Sequence, residues 1–187
     1  MKTLILNGSP RLNGDTAALL SALKTKLHGD VAELSAYRDQ ISPCVDCRYC
    51  ITHNKCSIAD DMDEIYKDDY DNLIIASPVY YGNLTGPMIS LASRLQVYHS
   101  LQPERNAPRV LKPKQGAVLL AGGGKANPER ALAFSKIIFH ILNVSFDEKD
   151  ICFCFGTDTL PAEKNEVALG SAEALAVRLN DLEIFQQ

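Results

Sequence analysis

Residues 4–16 read LILNGSPRLNGDT. The apolar run Leu4 to Leu6 stops at Asn7-Gly8, small and polar residues follow from Ser9 to Thr16, and Ala17-Ala18-Leu19-Leu20 opens a helical pattern. That order is strand, loop, helix N-terminus. Such a loop offers a phosphate backbone N–H groups, hydroxyls and the positive end of a helix dipole. Ser9 and Thr16 supply hydroxyls and Arg11 supplies charge. The loop has neither the Lys-Ser/Thr ending of G-x-x-x-x-G-K-[ST] nor the spacing of G-x-G-x-x-G, so a single terminal phosphate fits it better than a triphosphate or dinucleotide. The plain alternative is an ordinary turn with Asp15 as helix N-cap.

Outward from this loop, strand and helix patterns alternate. Residues 2–7 and 31–35 read as strands around an amphipathic helix at 16–28, with Leu19, Leu20, Leu23 and Leu27 on one side. Residues 37–59 form a long cysteine-rich connection, followed by a helix at 60–68 with an acidic start. NLIIA at 72–76 and AVLLA at 117–121 are continuous apolar strands, as expected in a sheet covered on both faces. Thr85 is an N-cap, with Gly86-Pro87 opening a helix that presents Met88, Leu91, Ala92 and Leu95. Asn127-Pro128 caps another helix, 144–155 holds the last strand and 163–182 the last helix. Five strands interleaved with helices make an α/β fold with a parallel sheet. With the phosphate loop after strand one, the flavodoxin-like order 2-1-3-4-5 is the expected one, its ligand site at the carboxyl ends of the strands.

The chain of 187 residues suits a single domain. Its net charge of −4 argues against a nucleic-acid-binding surface. No stretch reaches the length of a membrane span, and no leader-like segment precedes the first strand, so a cytoplasmic location and no membrane partner are expected.

Two further loops leave the same sheet edge. One is Ser77-Pro78-Val79-Tyr80-Tyr81-Gly82-Asn83; the other is Gly122-Gly123-Gly124-Lys125. Glycines permit close backbone approach, and a tyrosine can cover a ring face. Taken singly, the tyrosines are core packing and the glycines a turn. Together with the phosphate loop they suit a flat, phosphorylated ring system and point to FMN.

The motifs N-G-S-P-R-x-N-G-x-T and S-P-V-Y-Y-G-N resemble the NAD(P)H-dependent FMN reductase family of the flavodoxin-like superfamily, from residue 2 to about residue 145. The resemblance implies that Ser9, Arg11, Asn13 and Thr16 hold the FMN phosphate. It implies that Pro78, Val79, Tyr80, Tyr81, Gly82 and Asn83 border the isoalloxazine ring, with Gly122, Gly123 and Gly124 a less specific match. One departure is Asp15, where relatives often carry Asn; a carboxylate beside a phosphate is unfavourable unless it turns away.

Cys44, Cys47, Cys50 and Cys56 follow the spacing C-x2-C-x2-C-x5-C. Compact runs of this kind ligate iron–sulfur clusters, whereas structural zinc sites use two separated ligand pairs. The spacing, with D-D-M-D-E-I after it, resembles the iron–sulfur flavoprotein branch of the family. That implies a [4Fe–4S] cluster on these four cysteines and electron exchange with ferredoxin. Free thiols or a thiol–disulfide pair are the alternative, and Ser93-Arg94-Leu95-Gln96 resembles plainer reductases in which no cluster is assured. His53 reads as an exposed loop histidine, Cys152 and Cys154 as core, His140 as packed, and Arg105, Arg109, Lys112 and Lys114 as a solvated basic loop.

The expected activity is reduction of FMN by NAD(P)H and onward transfer to a small-molecule acceptor, whether a quinone, a nitro or azo compound, or flavin. The alternative is a non-enzymatic electron carrier with ferredoxin-like partners. No side chain stands out as a catalytic acid or base, and the resemblance implies a homodimer or homotetramer.

Overall fold

Strand β1 (Lys2–Asn7) shows how the sheet is built. Leu4 and Leu6 enter one apolar cluster, Ile5 enters the other, and all three are buried. Alternation of this kind, apolar on both faces, requires helices above and below the strand. The computed structural model describes residues 1–99 and 111–181.

The remaining strands are β2 (Asp30–Ser35), β3 (Asn72–Pro78), β4 (Lys114–Gly122), β5 (Val144–Ser145) and β6 (Ile151–Phe155). The sheet runs β2-β1-β3-β4-β5, every pairing is parallel, and β6 also pairs with β4. The expected flavodoxin-like order 2-1-3-4-5 is therefore present. The single last strand expected over 144–155 is divided instead. Asp147 and Asp150 form a reciprocal capping box around a short 3-10 turn (Glu148–Asp150), which breaks the strand into two.

Helices α1 (Asp15–Lys24) and α7 (Glu166–Leu179) cover one face, burying Leu19, Leu20, Leu23, Ala172 and Leu175 with Ile5, Ile74 and Leu119. The short α2 (Cys50–His53) lies in the cysteine connection. On the other face α3 (Asp63–Tyr66), α4 (Gly86–Ser93) and α6 (Glu129–Ile141) bury Ile65, Met88, Leu91, Ile138 and Phe139 over Leu73, Ile75 and Val118. A fully buried Leu or Ile contributes about 1.5–3 kcal/mol, so these two clusters carry the fold. A further short helix, α5, spans Gln96–His99.

Several end signals differ from expectation. Helix α1 begins one residue early, with Gly14 at its N-cap and no side-chain cap. Helix α3 is four residues long. Thr85 is the N-cap of α4, but its hydroxyl donates to the Gly8 carbonyl at 2.9 Å rather than capping. His140 is exposed, because its position on α6 faces away from Ile138 and Phe139. Cys152 and Cys154 are buried under α7, as expected, and burial raises both thiol pKa values.

Lys114 departs furthest from expectation. It begins β4, its side chain is fully buried, and Nζ stands 2.5 Å from Asp68 Oδ1. Nζ also donates to the Lys112 and Leu142 carbonyls at 2.6 and 3.0 Å, and lies 5.1 Å from the Tyr70 ring centre. Arg105 and Arg109 lie outside the described residues. Among the described residues no helix is long and apolar enough to cross a membrane.

Candidate functional site

The loop after β1 is held by its own polar groups. Asn7 Oδ1 accepts the Ser9 N–H at 2.8 Å, and Ser9 Oγ accepts the Arg11 N–H at 3.2 Å. Gly8 N–H donates to Ala76 O at 2.7 Å, tying the loop to the end of β3. Asp15 turns away from the loop: its Oδ1 accepts the Ala162 N–H at 2.8 Å. The first turn of α1 therefore has free N–H groups and no side-chain cap, the arrangement that accepts an anion. Ser9 and Thr16 are buried, while Arg11 and Asn13 are exposed.

The loop after β3 closes as a two-residue turn. Tyr80 and Asn83 exchange backbone hydrogen bonds of 2.9 and 3.0 Å, with Tyr81 at φ 53° and Gly82 at φ 81°. Both central residues need φ > 0, which Gly82 adopts readily and Tyr81 adopts at a cost. The Gly82 carbonyl accepts the Ala131 N–H of α6 at 3.0 Å, anchoring the turn. Tyr81 is fully exposed, whereas Tyr80 is about half-exposed.

These loops meet. Ser9, Arg11, Thr16, Pro78, Val79, Tyr80, Gly122 and Gly123 line one cavity of about 210 Å³ at the carboxyl ends of β1, β3 and β4. Asn13 borders a neighbouring groove with Arg11. Tyr81, Gly82, Asn83 and Gly124 stand outside the lining of the cavity. Thr157 and Asp158, from the loop after β6, complete the wall. Gly123 makes room for them, since a Cβ there would lie 2.4 Å from Asp158 Oδ2.

A second cavity, of about 350 Å³, is lined by Cys44, Cys47, Cys50 and Cys56 together with Val45, Ile51, Ile58, Arg94 and Val97. All four cysteines are free thiols. Among the described residues no three Cys, His, Asp or Glu groups stand in metal-ligating arrangement. The four cysteines lining this cavity match a thiolate-held centre in type and number, but binding one requires their side chains to converge further. Ser57, and then the Tyr49 backbone, hydrogen-bond to Cys47 and hold its thiol below its ordinary pKa. Asp46 and Arg48, on either side of Cys47, both have left-handed backbone. His53 is exposed and stacks on Tyr49 with ring centres 3.7 Å apart.

Residues 1–149 match the family model described as NADPH-dependent FMN reductase. The chain belongs to this FMN reductase family. Among relatives, an iron–sulfur flavoprotein of Methanocaldococcus jannaschii is 33% identical over 149 residues, covering 76% of this chain and 72% of that one. An iron–sulfur flavoprotein of Methanosarcina thermophila is 30% identical over 196 residues, covering 100% of this chain and 98% of that one. In fold, the chain is similar to an FMN-dependent NADH-azoreductase from Bacillus anthracis in complex with FMN. The TM-score is 0.68 at 18% identity, over 96% of this chain and 99% of that one.

As a member of the FMN reductase family the chain is an NAD(P)H-dependent, FMN-using oxidoreductase. A buried ion pair braces its cysteine connection. Arg94, 1% exposed, donates to Asp60 Oδ2 at 2.6 Å. Burial alone would raise the Asp60 pKa, but the Arg94 hydrogen bond, with the Ser42 and Met62 amides, holds it below the ordinary value. A carboxyl depressed in the folded state contributes stability that is complete above its unfolded pKa, about 3.9, and is lost as pH falls through the lower folded value. Desolvation is the largest single influence on Glu33 and Asp71 and raises both, but Lys24, Asn7 and Arg38 together outweigh it at Glu33, and Lys112, the Lys2 amide and the N-terminal charge together outweigh it at Asp71, so both are depressed. Thermal stability of this protein is therefore expected to fall below about pH 4. Asp60→Asn should lower the melting temperature at neutral pH and make its acid limb shallower. Parallel melting curves for native protein and variant between neutral pH and acid would remove Asp60 from this account.

Proposed function

We propose that the three-loop cavity binds FMN and that the cysteine cavity holds a [4Fe–4S] cluster, so that electrons taken from NAD(P)H leave through either a small-molecule acceptor or the cluster. One observation carries the reading: the uncapped N-terminus of α1 opens onto the same cavity as the Pro78–Tyr80 and Gly122–Gly123 segments. Bound FMN supplies hydride acceptance from NAD(P)H and release of the electrons onward. The chain supplies the rest. Ser9, Thr16, Arg11 and the first amides of α1 would bind the phosphate, and Asp15, which also lines the cavity, directs Oδ1 to the Ala162 N–H. Pro78, Val79 and Tyr80, with the backbone of Gly122-Gly123, would hold the ring. Thr157 and Asp158 complete the lining of the cavity. Cys44, Cys47, Cys50 and Cys56 would hold the cluster, which supplies one-electron relay.

A second reading is compatible with the iron–sulfur flavoprotein names of the relatives: the chain relays electrons between protein partners and does not turn over. Protein purified without oxygen distinguishes these cases by visible spectrum, iron and sulfide content, and steady-state assay. The proposal expects flavin bands over a broad absorbance that bleaches on reduction, iron with acid-labile sulfide, and turnover with NAD(P)H and a quinone or azo acceptor. Reduction by ferredoxin alone supports the relay. Protein that stays colourless after incubation with FMN overturns the flavin site, and flavin bands without iron overturn the cluster.

A further inference from the structure

We propose that Arg94 is the positioning and tuning residue of the cysteine cavity: its guanidinium clamps both ends of the cysteine loop, and its Nε–H donates to a sulfur atom of the centre bound there. The inference rests on the reading of Cys44, Cys47, Cys50 and Cys56 as cluster ligands.

The clamp is visible in the contacts. Nη1 donates to the Ser42 carbonyl at 2.9 Å and Nη2 to the Ile58 carbonyl at 3.1 Å. Ser42 lies two residues before Cys44 and Ile58 two residues after Cys56, so one side chain brackets all four cysteines. The neighbouring Ser93 Oγ accepts the Cys44 N–H at 2.9 Å. Tyr66 OH donates to the Arg94 carbonyl at 3.1 Å, fixing the backbone that carries the guanidinium.

The tuning role follows from what is left over. Among the described residues, Arg94 Nε is buried and has no hydrogen-bond partner. A buried donor on a charged group is costly to leave unpaired, and native structures rarely do so without a reason. Arg94 lines the cavity that the four thiols line. Sulfur held there is anionic and accepts hydrogen bonds, and such bonds move the reduction potential of the centre. An added electron makes the centre more negative, so a fixed donor beside it favours the reduced form. Asp60 balances most of the guanidinium charge, which leaves the Nε–H dipole as the contribution Arg94 makes.

The test compares native protein with Arg94→Lys and Asp60→Asn, each reconstituted anaerobically with ferrous iron and sulfide. Iron, sulfide and FMN content are measured, and the cluster potential is titrated with detection by electron paramagnetic resonance. Arg94→Lys keeps the charge and removes Nε together with the two-pronged contact to the Ser42 and Ile58 carbonyls. Its cluster is expected to be at least tenfold harder to reduce at fixed potential, ~59 mV for a one-electron couple. Asp60→Asn keeps Nε and unmasks the charge, so its shift has the opposite sign. Normal cluster content with an unmoved potential in Arg94→Lys overturns the tuning role. Should Arg94→Lys retain FMN and lose the cluster, the reduced native cluster with 15N-labelled arginine decides: magnetic coupling of the cluster to Nε upholds the proposal and its absence overturns it. Failure of native protein to take up iron and sulfide refutes the cluster itself, a separate outcome.

Discussion

Ser9→Asp is expected to weaken FMN binding by roughly a hundredfold or more. Ser9 is 3% exposed and lines the three-loop cavity beside Thr16 and the free first turn of α1. A carboxylate fixed there meets the phosphate with like charge, which costs several kcal/mol, and each 1.4 kcal/mol is tenfold. The loop geometry sharpens the effect. The Asn7 side chain and the Arg11 amide hold residue 9 in place, so an aspartate has little freedom to swing away. Ser9→Ala removes one hydroxyl and is expected to cost about 1 kcal/mol, several-fold in affinity. Titration of flavin-free protein with FMN, followed by quenching of flavin fluorescence, reads both, with circular dichroism as the control for folding. Equal affinity for Ser9→Asp and native protein would place the phosphate elsewhere.

Lys114→Met should lower the unfolding free energy by about 3–5 kcal/mol, the usual result of leaving one partner of a buried ion pair alone. In a chain of this size that is on the order of 10 °C in melting temperature. Methionine fills the volume, so the loss isolates the charge. Asp68 keeps its hydrogen bond from the Lys112 amide, 2.9 Å, but loses its cation, and the Lys112 and Leu142 carbonyls lose a donor. Adding Asp68→Asn should restore a substantial part. Asparagine still accepts from Lys112 and tolerates the left-handed backbone found at position 68, φ 54°. Urea unfolding of the single and double variants measures the coupling. Additive effects of the two substitutions would mean that the pair is not what stabilises this end of β4.

The contrast between these two positions shows what a sequence reveals here. The loop 7–16 is legible because its residue types, small, hydroxylic and basic, sit between an apolar strand and a helix, and each type has a local reason. The apolar runs at 72–76 and 117–121 are legible for the same reason: a strand covered on both faces has no other composition. Lys114 and Arg94 are not legible. A charged residue is exposed by default, and the partners that reverse this, Asp68 and Asp60, are 46 and 34 residues away with no periodicity to mark them. Thr157 and Asp158 escape notice because a polar residue in a loop after a strand carries no pattern until the sheet order brings that loop to the others. His140 fails in the opposite sense. Apolar neighbours in sequence suggest burial, but adjacent residues on a helix point about 100° apart, and position 140 faces water.

The single-side-chain clamp at residues 42, 58 and 60 has a consequence for how such chains diversify. The span between those points is tied to the body of the protein mainly at its two ends, and the entropic cost of closing a loop grows only slowly with its length. Insertions, deletions or loss of cysteines within it are expected to leave the β1–β3 pairing intact, which circular dichroism and FMN titration of such variants would check. The cysteine segment is thus a cassette: it can be exchanged for a longer, shorter or thiol-free version with the same two flanks. Graft experiments between flavin-only and thiol-rich members of one lineage have natural boundaries at those residues.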